Sequence, residues 1–593
     1  MKIKTRKATS LYGKLLEKAI EREEPWLQSQ DLPNYLDFYV DRGQISGIRN
    51  NSSELIVGRR GTGKTHLLGS LKELVVSSNN EIAVFISIFE CAQTPPALGS
   101  ETTEFAANRI SKEMFVSFLR EFLYQFSDAA DAFMVKKKGT LPKSEIKLLD
   151  VKLNDLFGKL LEAIEVGRKY SLGRTSRETI KELRLEKSNA VGDVSFKLSE
   201  RGIKATLGVG LGAGRSGNIE TKEEVEVENT FHIDLKDVRN ITEDILSILR
   251  IDTLYILADE WMELEKATPS AIQPLFAQML KITFFNSKHI AVKIASIWSQ
   301  TTLYDRKDMG KSKGIQLGHD LIRGPDLDID FIKDELEVHE FCKEMLFRRL
   351  KFVCPELQRL EDREGNIDDI FITELFDNTR NFNAFIAATH GIPRQLMHLF
   401  IKCAAKIKGD FTNHVIDYKL VSSISTMLYR EQKRKAIDPA SSAQKLLNTI
   451  NNYMESNDRR TFLVESGGVS KSTALRKLVD EEHIHQIPSA STPRVIREKY
   501  KAFHIDFGNY ADWVESKQED ISSLLSISIL PIFGKSVLDN LNDYVIDISE
   551  YDEGIVDCRS CGFSFTDRNP VYLKFGSCPK CAEDIKAPVN AIE

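Results

Sequence analysis

The chain has 593 residues, 42% of them hydrophobic, which is enough for several cores at domain sizes on the order of 100 to 200 residues. A formal net charge of −6 with 28% charged residues excludes a basic coat for nucleic acid, so any DNA contact must be local. No run approaches the roughly 20 apolar residues of a membrane span, and Met1 to Lys7 lacks the apolar core of a signal peptide, so a cytoplasmic protein without membrane contact is expected.

Residues 1–34 read as an N-terminal helical segment. The apolar run Glu54-Leu-Ile-Val57 then predicts a strand, followed by Gly58-Arg-Arg-Gly61-Thr62-Gly63-Lys64-Thr65 and a helical pattern. This is a full Walker A pattern in strand-loop-helix context. The backbone of Gly58, Gly61, Thr62 and Gly63 is expected to turn successive N–H groups toward phosphate oxygens, helped by the helix N-terminus. Lys64 is expected to reach the β and γ phosphates, and Thr65 to offer its hydroxyl to Mg²⁺. A glycine-rich turn that binds nothing would not need the complete pattern with these flanks.

Residues 103–127 carry a helical apolar stripe through Phe105, Ile110, Met114, Phe118, Leu119 and Phe122, and helical spacing resumes over 143–166. The lysines from Lys136 read as a solvated loop between them. Val194, Phe196 and Leu198, a turn at Glu200 to Gly202, and Ile203, Ala205 and Leu207 then alternate as a β-hairpin. This hairpin is either a contact for a partner, a neighbouring protomer or a DNA strand, or a decoration. The glycines from Gly208 to Gly214 lead into an alternating strand near Glu224 and not a helix, which argues against a dinucleotide loop.

A buried parallel strand is predicted at Leu254-Tyr-Ile-Leu-Ala-Asp259, ending in the pair Asp259 and Glu260. Asp259 is expected to hold Mg²⁺ directly or through water, and Glu260 to polarise an attacking water. Asp259 lies much farther from Lys64 than one strand and one helix require, so 103–235 is read as an insertion. Another apolar strand from His289 ends in Ser296, Ser299 and Gln300, any of which, or none, would be a polar sensor.

The acidic pair, the sensor-like strand and the helical segment with Gly391-Ile-Pro-Arg394 together resemble AAA+ ATPases, in particular the origin-recognition and initiator branch and the related STAND signalling ATPases. The resemblance implies that ATP is the nucleotide and that Arg394 opens a lid helix and reaches the γ-phosphate. Pro393 suits a helix first turn. It also implies a lid beginning near Phe341 to Leu350, an adenine-side segment at Phe38 to Gly43, and a trans-acting arginine at Arg306 or Arg323.

Beyond the lid, Ser441 to Glu455 has helical spacing, and Gly467 to Val479 resembles the turn and recognition helix of a winged helix-turn-helix capped by Ser470. Leu475 and Leu478 would face inward, and Lys471, Arg476 and Lys477 outward toward phosphates or base edges. Asp480, Glu481 and Glu482 just downstream suit a protein partner equally well. Finally, Cys558-Arg-Ser-Cys561 and Cys578-Pro-Lys-Cys581 have the spacing of a structural Zn²⁺ site in a small ribbon, whereas Cys91, Cys342, Cys354 and Cys403 read as core residues.

The expected fold is therefore α/β: a P-loop NTPase parallel sheet over 35–330 containing the insertion, a helical lid over 331–435, a winged-helix-like domain over 436–550 and a zinc ribbon over 551–593. The expected function is an ATPase switch, converting ATP and water to ADP and phosphate, that acts on or with DNA, double-stranded DNA being the candidate partner, through the C-terminal winged-helix and zinc-ribbon modules. The alternative is a STAND-like signalling ATPase that recognises a protein or foreign component, as in prokaryotic anti-phage defence, with partner proteins or its own protomers as contacts.

Overall fold

The computed structural model describes residues 34–92, 103–137, 142–164, 235–264, 272–305, 313–328, 335–407, 410, 413–469, 472–487, 492–517, 540–551, 555–558, 564–566, 576–578 and 581. The expected N-terminal segment before residue 34, the 194–207 hairpin and the glycine run 208–214 lie outside these residues, as do Arg306, Ser470, Lys471 and Cys561.

Five strands pair in parallel: β1 (Glu54–Val57), β2 (Glu81–Ser87), β3 (Thr253–Asp259), β4 (Ile290–Ser296) and β5 (Ile322–Asp326), in the order β2-β3-β4-β1-β5. Every residue of β1, β3 and β4 is buried, as expected of central parallel strands covered on both faces. β2 and β5 were not read from sequence. The chain is thus an α/β protein compatible with a P-loop type of fold.

Side chains alternate between two cores. Leu55, Val57, Ile82, Ile256 and Ile294 face a core shared with the helices Thr103–Lys137, Lys143–Ile164, Leu235–Leu249 and Ile272–Leu280. Ile56, Ala83, Leu257 and Ala295 face the other core, shared with the helix Lys64–Val76 and the helices that follow residue 335. The helices Thr103–Lys137 and Lys143–Ile164, within the expected insertion, therefore pack into the core on one face of the sheet. Thr103–Lys137 also runs on through Lys136 and Lys137, which the sequence reading placed in a loop. The Lys137 ammonium caps the Leu249 carbonyl at 2.9 Å, so the charges end a helix.

Helices Glu335–Val353, Pro355–Glu364, Asp368–Phe376, Thr379–Thr389, Pro393–Lys406 and Tyr418–Leu428 pack as a helical unit on the second core. Next come the helix Ser442–Asn457, strand β6 (Thr461–Glu465), helices Ser466–Val469 and Thr473–Asp480, strand β7 (Ile484–Gln486), the short helix Arg494–Arg497, strand β8 (Tyr500–Ile505) and helix Phe507–Ser516. The three strands form an antiparallel sheet in the order β6-β8-β7. The cap of Thr473–Asp480 is Ser472, whose hydroxyl accepts from the Leu475 amide at 3.2 Å. A short ladder pairs Ile555–Asp557 with Ser564–Thr566. Among the described residues no helix is long and apolar enough to cross a membrane.

Candidate functional site

The sheet register brings chemistry to one edge. Ser87 of β2 is level with Asp259 of β3, and Val57 of β1 is level with Ser296 of β4, so the glycine loop and the acidic pair leave the sheet at the same end. In open α/β sheets this carboxyl edge is where ligands bind.

The loop needs its glycines for different reasons. Gly61 and Gly63 take φ of +80° and +97°, in the left-handed region. A Cβ on Gly58 would come within 2.6 Å of the Thr62 hydroxyl, which itself donates to the Arg59 carbonyl at 3.0 Å. Gly63 then caps the helix Lys64–Val76, whose first-turn amides face the cleft end.

Lys64 is 7% exposed and donates from Nζ to the Gly58 and Arg59 carbonyls, both at 2.7 Å. Burial pushes its ammonium down to about 8, opposed by Asp328 and Asp259. Asp259 is also buried, and desolvation raises its carboxyl above the usual carboxylate value, opposed by the hydrogen bond from the Thr65 side chain. Thr65 and Asp259 are thus partners across the base of the cleft.

Glu260 adopts φ of +61°, a conformation that costs about 1 kcal/mol or more for a residue with a Cβ. The kink turns the chain from β3 into a tight turn, with the Glu260 amide donating to Asp259 Oδ1 at 2.9 Å. Its carboxylate accepts from the Ser87 hydroxyl at 2.9 Å. No motif in the sequence marks Ser87, because none stands beside β2.

The opposite wall comes from the helical unit. Pro393 stands at the start of Pro393–Lys406, and Arg394 and Met397 from that helix line the cleft with Arg349 from Glu335–Val353. The Arg394 amide donates to the Gly61 carbonyl at 3.2 Å. Arg349 is 9% exposed, and burial pushes its guanidinium down to about 10. Arg349 had no motif to mark it beyond its place at the start of the expected lid.

Phe38 and Tyr39 stand beside the cleft. Tyr39 meets the ring of His66, a cleft residue, edge-on at 5.3 Å, and Phe38 lies 6.0 Å from the Arg349 guanidinium. Ser296 and Gln300 do not line the cleft: Ser296 is buried and accepts from the Thr301 hydroxyl at 2.6 Å, while the Gln300 carbonyl accepts from Gln273 at 3.0 Å. Arg323 lies on the edge strand, paired with Asp326 at 3.0 Å and 5.4 Å from the Trp298 ring.

The donor set fits a polyphosphate with a hard divalent cation. Lys64, Arg60, Arg349 and Arg394 supply positive charge around glycine-loop amides, while Asp259, Glu260 and Thr65 supply oxygen ligands.

A second cluster lies near the chain end. The sulfurs of Cys558, Cys578 and Cys581 lie within 4.8 Å of one another, with Cys558 and Cys581 3.6 Å apart. That separation is far too long for a disulfide and matches the edge of about 3.8 Å in a tetrahedron of thiolates 2.3 Å from Zn²⁺.

No protein-family model matches this chain, and no curated protein matches it.

Proposed function

We propose that the cleft binds Mg-ATP and hydrolyses it, and that the chain is an AAA+ type switch of the initiator-like or STAND-related kind. The observation that carries this reading is the convergence of Lys64, Thr65, Asp259, Glu260 and Arg394 on one cleft from three separate parts of the sequence. In it the glycine-loop amides and Lys64 would hold the β and γ phosphates, and Thr65 with Asp259 would hold Mg²⁺. When bound there, the ion would supply charge neutralisation for the phosphates. Glu260, oriented by Ser87, accepts the proton of the attacking water, and Arg394 stabilises the charge developing on the transferred phosphoryl group.

The helical unit then serves as the lid, because Arg394 responds to the γ-phosphate while its backbone stays on the glycine loop. The C-terminal unit supports a winged-helix reading: helix, strand, two helices, a strand, the short helix Arg494–Arg497 and a last strand, with the first and last strands adjacent. Lys477, Arg494 and Arg497 are exposed on this unit, which suits contacts to phosphates. Cys558, Cys561, Cys578 and Cys581 would hold a structural Zn²⁺ in an adjoining ribbon. We therefore read the switch as acting on double-stranded DNA in the cytoplasm.

The protein-triggered alternative draws on one observation: Glu481, directly after the helix Thr473–Asp480, is exposed and adds negative charge beside Lys477. ATP turnover with and without double-stranded DNA separates the two. Stimulation by DNA that vanishes in Lys64→Ala and Glu260→Gln supports the DNA reading; turnover indifferent to DNA, with no DNA binding at low salt, rejects it in favour of a protein trigger.

A further inference from the structure

Behind the glycine loop lies a buried polar junction where three parts of the chain meet. Arg59, the residue after Gly58, is clamped by Asp328: its amide donates to Oδ2 and its Nε to Oδ1, both at 2.9 Å. Its Nη1 donates to His485 Nδ1 of β7, also at 2.9 Å. His485 stacks on His390, with ring centroids 3.5 Å apart and planes 25° from parallel. His390 is the left-handed residue that ends the helix Thr379–Thr389, four positions before Arg394.

These contacts fix the proton positions. An arginine only donates, so His485 Nδ1 must be an acceptor, and the ring proton sits on Nε2, facing Asp506 Oδ2 at 3.3 Å. In the same way Arg460 Nη2, 2.9 Å from His390 Nε2, makes that nitrogen an acceptor. Asp506 Oδ2 also takes the Lys433 ammonium at 2.6 Å, while Oδ1 accepts from the Gly508 amide and caps Phe507–Ser516. His390, His485 and Asp506 have ligand atoms within 4.8 Å of one another, the spacing of a metal site. Arg59, Arg460 and Lys433 argue against a metal, because they occupy the ligand lone pairs and surround them with positive charge.

The junction closes a loop. From the glycine loop, Gly61 bonds to Arg394; four residues back, His390 stacks on His485; and His485 bonds to Arg59, two residues before Gly61. A movement of the glycine loop or of the Arg394 helix changes the geometry at His485. We propose that His485 and His390 are positioning residues that couple the nucleotide cleft to the C-terminal three-stranded unit, so that the state of the cleft sets the conformation of the unit that meets the partner. The inference rests on the nucleotide reading of the cleft. It implies reciprocity: a partner bound to the C-terminal unit alters nucleotide affinity by the same factor as nucleotide alters partner affinity.

The test is hydrogen exchange on the full-length protein with and without Mg²⁺ and a non-hydrolysable ATP analogue, read separately over 58–65 and over β6, β7 and β8. In the wild type, exchange should slow several-fold in both regions. In His485→Ala the loop should stay protected by nucleotide while the strands lose their response, and His485→Asn, which keeps an acceptor near the Nδ1 position, should restore it. Arg59→Ala breaks the same contact from the loop side and makes the comparison if His485→Ala does not fold. Nucleotide protection of the loop without any response in the strands, or an unchanged strand response in the variants, overturns the coupling. No protection of the loop in the wild type overturns the nucleotide reading itself, and the coupling with it.

Discussion

Gly61 and Arg394 are in contact through both backbone and side chain: the Arg394 amide donates to the Gly61 carbonyl at 3.2 Å, and a Cβ on Gly61 would lie 2.6 Å from the Arg394 Cβ. The helical unit is thereby seated on the glycine loop at one residue that has no room for a side chain. Gly61 also needs φ of +80°. Gly61→Ala is expected to cost roughly 2 kcal/mol, from left-handed strain and the displaced helix, and to weaken nucleotide binding. Urea denaturation and a binding titration check both, and a variant as stable as the wild type would mean the helix does not sit where it is described.

Lys64 supplies a pH signature. Its ammonium is pushed down to about 8 by burial, and a polyphosphate binds the protonated form more tightly. Binding therefore takes up a proton above that value, so affinity is constant below pH 8 and falls as pH rises past it, approaching about one log unit per pH unit. Binding titrations between pH 7 and 10 measure the slope. Lys64→Ala should bind weakly with no such fall.

Buried histidines predict the acid limit of stability. Burial pushes His66 and His483 down to about 4 and His485 down to about 3, so the folded chain holds them neutral where the unfolded chain binds protons. The unfolded state then carries more protons below about pH 6.5, and stability falls as pH drops through that point. Each histidine contributes roughly 2 kcal/mol of loss by pH 5. Denaturation midpoints across pH 5 to 8 read the effect, and a flat profile would contradict the neutral, buried assignment.

What the sequence revealed and what it hid follow from the range of the interactions. Strands β1, β3 and β4 were legible because each is an apolar run beside a recognisable motif. The run from Glu81 to Ser87 carries the same apolar signal but has no motif beside it to mark it. β5 has the sequence Ile-Arg-Gly-Pro-Asp, which reads as a loop; proline and charge are tolerated there because the strand is at the sheet edge. Lys64, Thr65, Asp259 and Glu260, which line one cleft, stand out in the sequence by local pattern, since a glycine loop and a strand-end acidic pair are short-range features. Ser87, Arg349, Asp328 and His485 were not, because each joins the site only through tertiary contact. No spacing rule connects Arg59 with a histidine 426 residues away.

The cysteine cluster predicts about one tightly held zinc ion per chain. Cys578→Ser should lower the metal content and expose the segment beyond residue 551 to protease, with the cleft still able to bind nucleotide. Metal analysis and limited proteolysis check this together; full zinc occupancy in the variant would remove Cys578 from the ligand set.

The most direct measurement is calorimetric binding of Mg-ATP to the wild type, Lys64→Ala and Glu260→Gln. The expected result is about one nucleotide per chain in the wild type, at least tenfold weaker binding in Lys64→Ala, equivalent to about 1.4 kcal/mol or more, and retained binding without turnover in Glu260→Gln. Absence of binding in the wild type, or equal affinity in Lys64→Ala, would contradict the assignment of the cleft.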